Sequence, residues 1–330
     1  MIGAPFLAAS LFAQAASDAA QPTQSAPEAK VAGVIRTWGH GSRKQDYIGG
    51  LAKAWEDGYR KRHPGVRFET SLLGDKSAIG GLYTGAADVA IMERRLSAIE
   101  KDSYEQVFGR TDPFAVTIAT GSLDVDNHAP ALVVFVHRDN PVTQLTLAQL
   151  DAIFGADHKR GPRNIRAWGE LAAGGAGSGD PIHAYTLPIV SDGSQFFQDA
   201  VMGGSQKWTG ELTELATGRE VLEALAKDRN GIAISHLQYR NPSVKPVALA
   251  REDGAPYVEP TRESILERSY PLARPVYIYV NRDPGKPMEP RVKEYLTYIL
   301  GPEGQADIAR EGGYLPLTPA AAREEMRKVQ

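Results

Sequence analysis

The sequence contains no cysteine among its 330 residues. That excludes a disulfide framework, thiolate-ligated zinc, a cysteine nucleophile and a lipid-modified cysteine at an export cleavage site. It also lacks any excess of positive charge: 37 Lys and Arg stand against 40 Asp and Glu, a formal net charge of −3. A basic footprint is therefore missing, and no nucleic-acid partner is expected. Past the N-terminus there is no apolar run of membrane-spanning length. Catalytic signatures are missing too. No G-x-S-x-G elbow or dinucleotide-binding glycine fingerprint occurs, and the seven histidines are scattered without HExxH spacing. No catalytic residue, cofactor or metal site is read from these patterns.

What is present is the composition of a globular protein, 42% hydrophobic and 23% charged, with enough chain for two lobes of ordinary domain size. Residues 1–16 read as a signal peptide, an apolar stretch ending in the small-residue pattern Ala13-Gln14-Ala15-Ala16. Residues 17–30, rich in Ala, Gln, Pro, Ser and Thr, read as a disordered leader. Export to the periplasm or the medium is the expectation.

The rest alternates between two periods. Ile48, Leu51, Ala52, Trp55 and Tyr59 share a helical face that ends in the cations Arg60, Lys61 and Arg62 and stops at Pro64-Gly65. Residues 66–72 alternate like a strand, Ser77 is placed to cap a short helix, and 87–92 is a nearly continuous apolar run of the kind buried on both faces. This order predicts a parallel α/β sheet. A second set follows: a buried strand at 131–137, a helix at 146–154 with Thr146 and Gln149 at capping-box spacing, a glycine-rich loop at 173–180, and a helix carrying Val221, Leu222 and Leu225. Strands at 231–235 and 275–280 and helices at 290–300 and about 303–310 complete it. Two α/β halves joined by extended segments predict hinged lobes with a ligand cleft between them.

Several stretches, in order along the chain, resemble the phosphate ABC transporter substrate-binding family, the PstS-like proteins. They are WEDGYRKRHPGV from Trp55, GAADVAIMERRL from Gly85, ALVVFVHRDNPVTQLTLAQLDAIF from Ala131, IRAW from Ile165, GIAIS from Gly231, YPLARPVYIYVN from Tyr270 and GPEGQADIAREGGYLPL from Gly301. The resemblance implies a type II periplasmic-binding-protein fold of class α/β. Lobe I would comprise 31–125 and 272–330, lobe II 126–271, and the crossings near 121–130 and 270–275 would form the hinge. It also implies a monomer without cofactors, which captures phosphate or a related small anion for the membrane permease of an ABC importer. Binders of a different oxyanion or small metabolite, and an exported phosphatase-like or extracellular interaction protein on the same scaffold, stay open as alternatives.

The family's ligand loops map onto four places. The first holds Gly41 and Ser42, with Asp46 where a threonine is usual and Tyr47 after it. In the second, Lys76 and Ser77 open a helix beside Asp75. The third carries Glu93, implied to accept the proton of hydrogen phosphate, and Arg94, implied to clamp the anion. The fourth is Ser191, Asp192, Gly193 and Ser194. Aligned on Asp-Gly-Ser, the family's arginine becomes Val190; aligned on Phe196 and Phe197, Ser-Gly-Thr becomes Ser191-Asp192-Gly193. Four acids, Asp46, Asp75, Glu93 and Asp192, sit in these loops, so a buried dianion requires cations to offset them.

Overall fold

The computed structural model describes residues 31–41, 48–110, 112–161, 163–171 and 179–330. The expected signal peptide, the leader, Ser42, Asp46, Tyr47 and most of the glycine-rich loop lie outside the described residues.

The chain opens as read. Strand β1 (Gly33–Gly39) leads into helix α1 (Gly49–Arg62), strand β2 (Val66–Ser71), helix α2 (Asp75–Tyr83) and strand β3 (Val89–Met92). Helix α1 buries Leu51, Ala52, Trp55 and Tyr59, the face its spacing marks, and the Trp55 indole donates to the Gly304 carbonyl at 3.0 Å. Each large side chain removed from water in this way contributes roughly 1.5–3 kcal/mol. Helix α2 departs from expectation in its cap. Gly74, at φ 114°, is the N-cap, and Ser77 sits inside the first turn with its hydroxyl donating to the Gly74 carbonyl at 2.7 Å. A glycine is needed there because that φ penalises any residue with a Cβ.

Helix α3 (Ala98–Phe108) follows, then strand β4 (Phe114–Thr120). The second set comprises β5 (Val133–His137), β6 (Gln144–Thr146), α4 (Leu147–Phe154), β7 (His183–Thr186), α5 (Asp192–Ala200), β8 (Leu212–Glu214), α6 (Gly218–Leu225), β9 (Gly231–Ser235), β10 (Val244–Pro246), β11 (Ala248–Ala250) and α7 (Arg262–Leu266). Thr146 and Gln149 close the capping box their spacing predicts. The chain then returns through β12 (Pro275–Val280), α8 (Pro290–Leu300), α9 (Pro302–Glu311) and α10 (Pro319–Val329).

Two five-stranded sheets organise these elements, in orders β2-β1-β3-β12-β4 and β10-β5-β9-β7-β8, with β6 and β11 forming a small parallel pair. The parallel reading holds for β1, β2 and β3, but β12 inserts antiparallel between β3 and β4. In the second sheet β7 runs parallel to β8 and β9, and β5 antiparallel to β9 and β10. Strands β3, β5 and β9 are buried along their whole length, as their unbroken apolar runs require. Residues Val31–Gln330 form one compact unit. The segments joining the sheets lie side by side: the Gly121 amide donates to the Arg274 carbonyl at 2.7 Å, and the Leu132 amide to the Leu272 carbonyl at 3.2 Å. Among the described residues no helix is long and apolar enough to cross a membrane.

Candidate functional site

Strand pairing in the first sheet delivers charged residues to one place. Gly39 pairs with Ile91 across the parallel β1–β3 ladder, so His40 and Glu93, the residues just past this pairing, emerge together. The His40 amide is fixed by the Ile91 carbonyl at 3.0 Å. Met92 in turn pairs with Tyr277 of β12, which brings Arg274, just ahead of that strand, beside Glu93. An Arg274 Nη donates to the Glu93 carbonyl oxygen at 3.4 Å. From the second sheet's side α5 supplies Asp192 in its first turn, where a helix N-terminus favours an acid. His40, Glu93, Asp126, Asp192, His236 and Arg274 all line a cavity of about 290 Å³.

His40 is the centre of this cluster. Its Nδ1 lies 3.2 Å from Asp75 Oδ1 and 4.0 Å from Asp192 Oδ2, and its Nε2 lies 3.6 Å from Glu93 Oε2. Burial opposes a charge on this ring, but the adjacent Asp75 carboxylate and the charges of Glu93 and Asp192 outweigh it and push its pKa up to about 9. Glu93 is almost wholly buried, and burial raises its pKa against the pull of His40, Arg274 and the hydrogen-bonding Tyr314 hydroxyl, which donates to its Oε1. His236 is the opposite case. Complete burial lowers its pKa to about 4, so the ring is neutral at pH 7.

The sequence-derived residues are distributed unevenly around this centre. Glu93 and Asp192 line the cavity; Gly41 and Gly193 are buried in the backbone near it. Lys76 is exposed on the first turn of α2. The hydroxyls of Ser191 and Ser194 are spent locally: Ser191 Oγ caps α5 by accepting from the Ser194 amide at 3.2 Å and donates to Ser194 Oγ, which donates to the Leu187 carbonyl.

Arg94, expected as an anion clamp, is engaged inside the protein. Its guanidinium makes paired hydrogen bonds to Glu100 at 2.7 and 2.8 Å, and its Nε lies 3.2 Å from Asp75 Oδ2. Buried and shared between two carboxylates, it has no face left for a ligand. Arg274 is the arginine that lines the cavity. It is 6% exposed, and its Nε has no hydrogen-bond partner. Val190, which one loop alignment puts where the family has arginine, is 79% exposed. Sequence reading also passed over His40, taken as one of several structural or surface histidines. Its position directly after the first predicted strand was the available signal.

The comparisons with known proteins agree with this architecture. A family profile described as the PBP superfamily domain matches residues 25–303. The Phosphate-binding protein PstS of Pseudomonas aeruginosa is 31% identical over 285 residues, covering 86% of this chain and 84% of the relative. Protein SphX of Synechococcus elongatus is 25% identical over 277 residues, covering 82% of this chain and 75% of that one. Among solved structures, PstS from Borrelia burgdorferi aligns with a TM-score of 0.60 at 16% identity, covering 86% of this chain and 99% of that one. An ABC-type phosphate transport receptor from Vibrio cholerae aligns at 0.56 and 19% identity, covering 85% and 99%. At these identities the two structures establish the fold alone.

Proposed function

Since the chain belongs to the PstS phosphate-binding family within the PBP superfamily, we propose that it captures inorganic phosphate, or a closely related small oxyanion, in the cavity between the two sheets. It then presents the anion to the membrane permease of an ABC importer from the periplasmic side, as a monomer and without catalysis. The observation that carries this reading is Arg274: a guanidinium more than nine-tenths buried, its Nε without a hydrogen bond, on the wall of a cavity of about 290 Å³.

Capture follows from the groups at hand. Arg274 supplies charge-assisted donors to the anion's oxygens, and a protonated His40, which like Arg274 stands beside Glu93, adds positive potential. Glu93 supplies discrimination. Its Oε1 is engaged by Tyr314, while Oε2 faces the cluster and accepts the proton of hydrogen phosphate. Sulfate carries no such proton and leaves that buried oxygen unpaired, at a cost of about 1–3 kcal/mol.

Lobe I (31–125 and 272–330), lobe II (126–271) and the hinge at their crossings remain part of the proposal. Their support is that each five-stranded sheet draws its strands from one lobe and that the two crossings hydrogen-bond to each other. A hinge there would let closure remove the remaining water. Thermal melts of the ligand-free chain test the reading. Phosphate at a hundred times its Kd adds about 2.7 kcal/mol of stability; a flat response at millimolar phosphate rejects it. Phosphatase activity toward a chromogenic phosphomonoester is expected to be nil.

A further inference from the structure

The walls of the cavity hold more negative charge than an anion site tolerates. Asp75, Glu93 and Asp192 surround His40, and the guanidiniums beside them are Arg94, shared between Glu100 and Asp75, and Arg274, next to Glu93. Placing a dianion among buried carboxylates is unfavourable unless further positive charge is present.

We propose that His40 Nδ1, Asp75 Oδ1 and Asp192 Oδ2 hold a divalent cation of the zinc type, with an open position toward the cavity.

Three observations meet here. The ligand atoms lie within 4.8 Å of one another, with His40 Nδ1 3.2 Å from Asp75 and 4.0 Å from Asp192. Zinc bonds of about 2.0–2.1 Å in a tetrahedral shell separate ligand atoms by about 3.3 Å, so a small inward movement of the half-exposed Asp192 completes the set. Asp75 is 5% exposed, and its carboxylate is held by ion pairs alone, Oδ1 3.2 Å from His40 Nδ1 and Oδ2 3.2 Å from Arg94 Nε. The surroundings are also those of a metal-binding imidazole. Glu93 stands behind the other ring nitrogen at 3.6 Å, the carboxylate–histidine–metal arrangement that orients a ligating ring, and Arg94 Nε steadies the far oxygen of Asp75 at 3.2 Å. One imidazole with two carboxylates and an open position is a zinc-like donor set. The three residues are far apart in sequence, so no motif spacing announces them.

Where the cavity takes an oxyanion, which rests on the reading above, one anion oxygen fills the open position, and the cation displaces the His40 Nδ1 proton and offsets the carboxylates in its place. Calorimetric titration of zinc into chelator-treated full-length protein tests the site. One zinc per chain is expected, weakened at least about a hundredfold in His40→Gln and in Asp192→Asn. His183→Gln, whose ring pairs with Asp228 elsewhere, is expected to bind zinc as wild type does. Asp192 is 45% exposed in its side chain, so its variant is expected to keep the wild-type melting temperature even where His40→Gln does not. Absence of zinc binding, or equal binding in Asp192→Asn and wild type, overturns the proposal. Repeating phosphate melts with zinc and with chelator separates the two readings: phosphate binding without zinc binding removes the metal site alone, and zinc binding without any phosphate response removes the phosphate reading alone.

Discussion

At the scale of single residues, His40 couples the cavity to pH. Its pKa rises from an ordinary value near 6.5 to about 9 in the fold. A raised folded pKa contributes stability that is fully present below about pH 6.5 and is lost as pH climbs through 9. Chelator-treated wild type is therefore expected to lose on the order of 2–3 kcal/mol of unfolding free energy between pH 6.5 and 9. The His40→Gln variant should show a flat profile over that interval in urea titrations; an unchanged slope would mean that another group titrates. Glu93 makes a separate prediction. Replacing it with Gln removes the acceptor for the ligand's proton, and the preference for phosphate over sulfate should fall about five- to hundredfold, read from paired calorimetric titrations. Arg274→Ala should weaken phosphate binding by about 2–4 kcal/mol, while Arg94→Lys should act mainly on stability through Glu100 and Asp75.

The residue scale is also where the sequence was least legible. Glu93 could be placed because it directly follows a buried apolar run. Arg94 could not be told from a ligand arginine, because its partners Asp75 and Glu100 reach it only through the folded loop. Arg274 and His40 gain their roles from β12 pairing with β3 and β3 with β1, pairings no local pattern contains.

At the scale of elements, local chemistry was readable wherever period and cap agreed. Helix α4 has Thr146 and Gln149 as its capping box, and β9, β12 and α8 fall on the residues their apolar patterns mark. Helix α3 was passed over although Ser97 and Glu100 form the same box, because its outer face carries few buried residues: Tyr104 alone is buried. Glu100 serves twice, closing that box and binding Arg94, so the helix start and the buried Arg94 ion pair share one side chain. The crossing at Gly121 is equally constrained. A Cβ there would lie 2.0 Å from the Ala129 carbonyl oxygen. Gly121→Ala should therefore cost roughly 1–3 kcal/mol, measured as a lowered urea midpoint. It should also disturb the Arg274 backbone, whose carbonyl accepts from the Gly121 amide.

At the scale of the whole molecule, two sheets of mixed direction hold the cavity between them, and the return of the chain through β12 ties residues 275–330 to the first sheet. The α/β class was legible from alternating periods. The antiparallel insertion of β12 was not, because a strand buried on both faces reads alike in either direction. Family membership accounts for the architecture, while the acids around His40 distinguish this cavity from one that relies on hydroxyls and an arginine from the loop at Val190.

The most direct measurement is calorimetric titration of inorganic phosphate into the ligand-free full chain, with sulfate titrated in parallel. One phosphate per chain, with sulfate at least about fivefold weaker, is the predicted result. No binding at millimolar phosphate, or equal binding of sulfate, would contradict it.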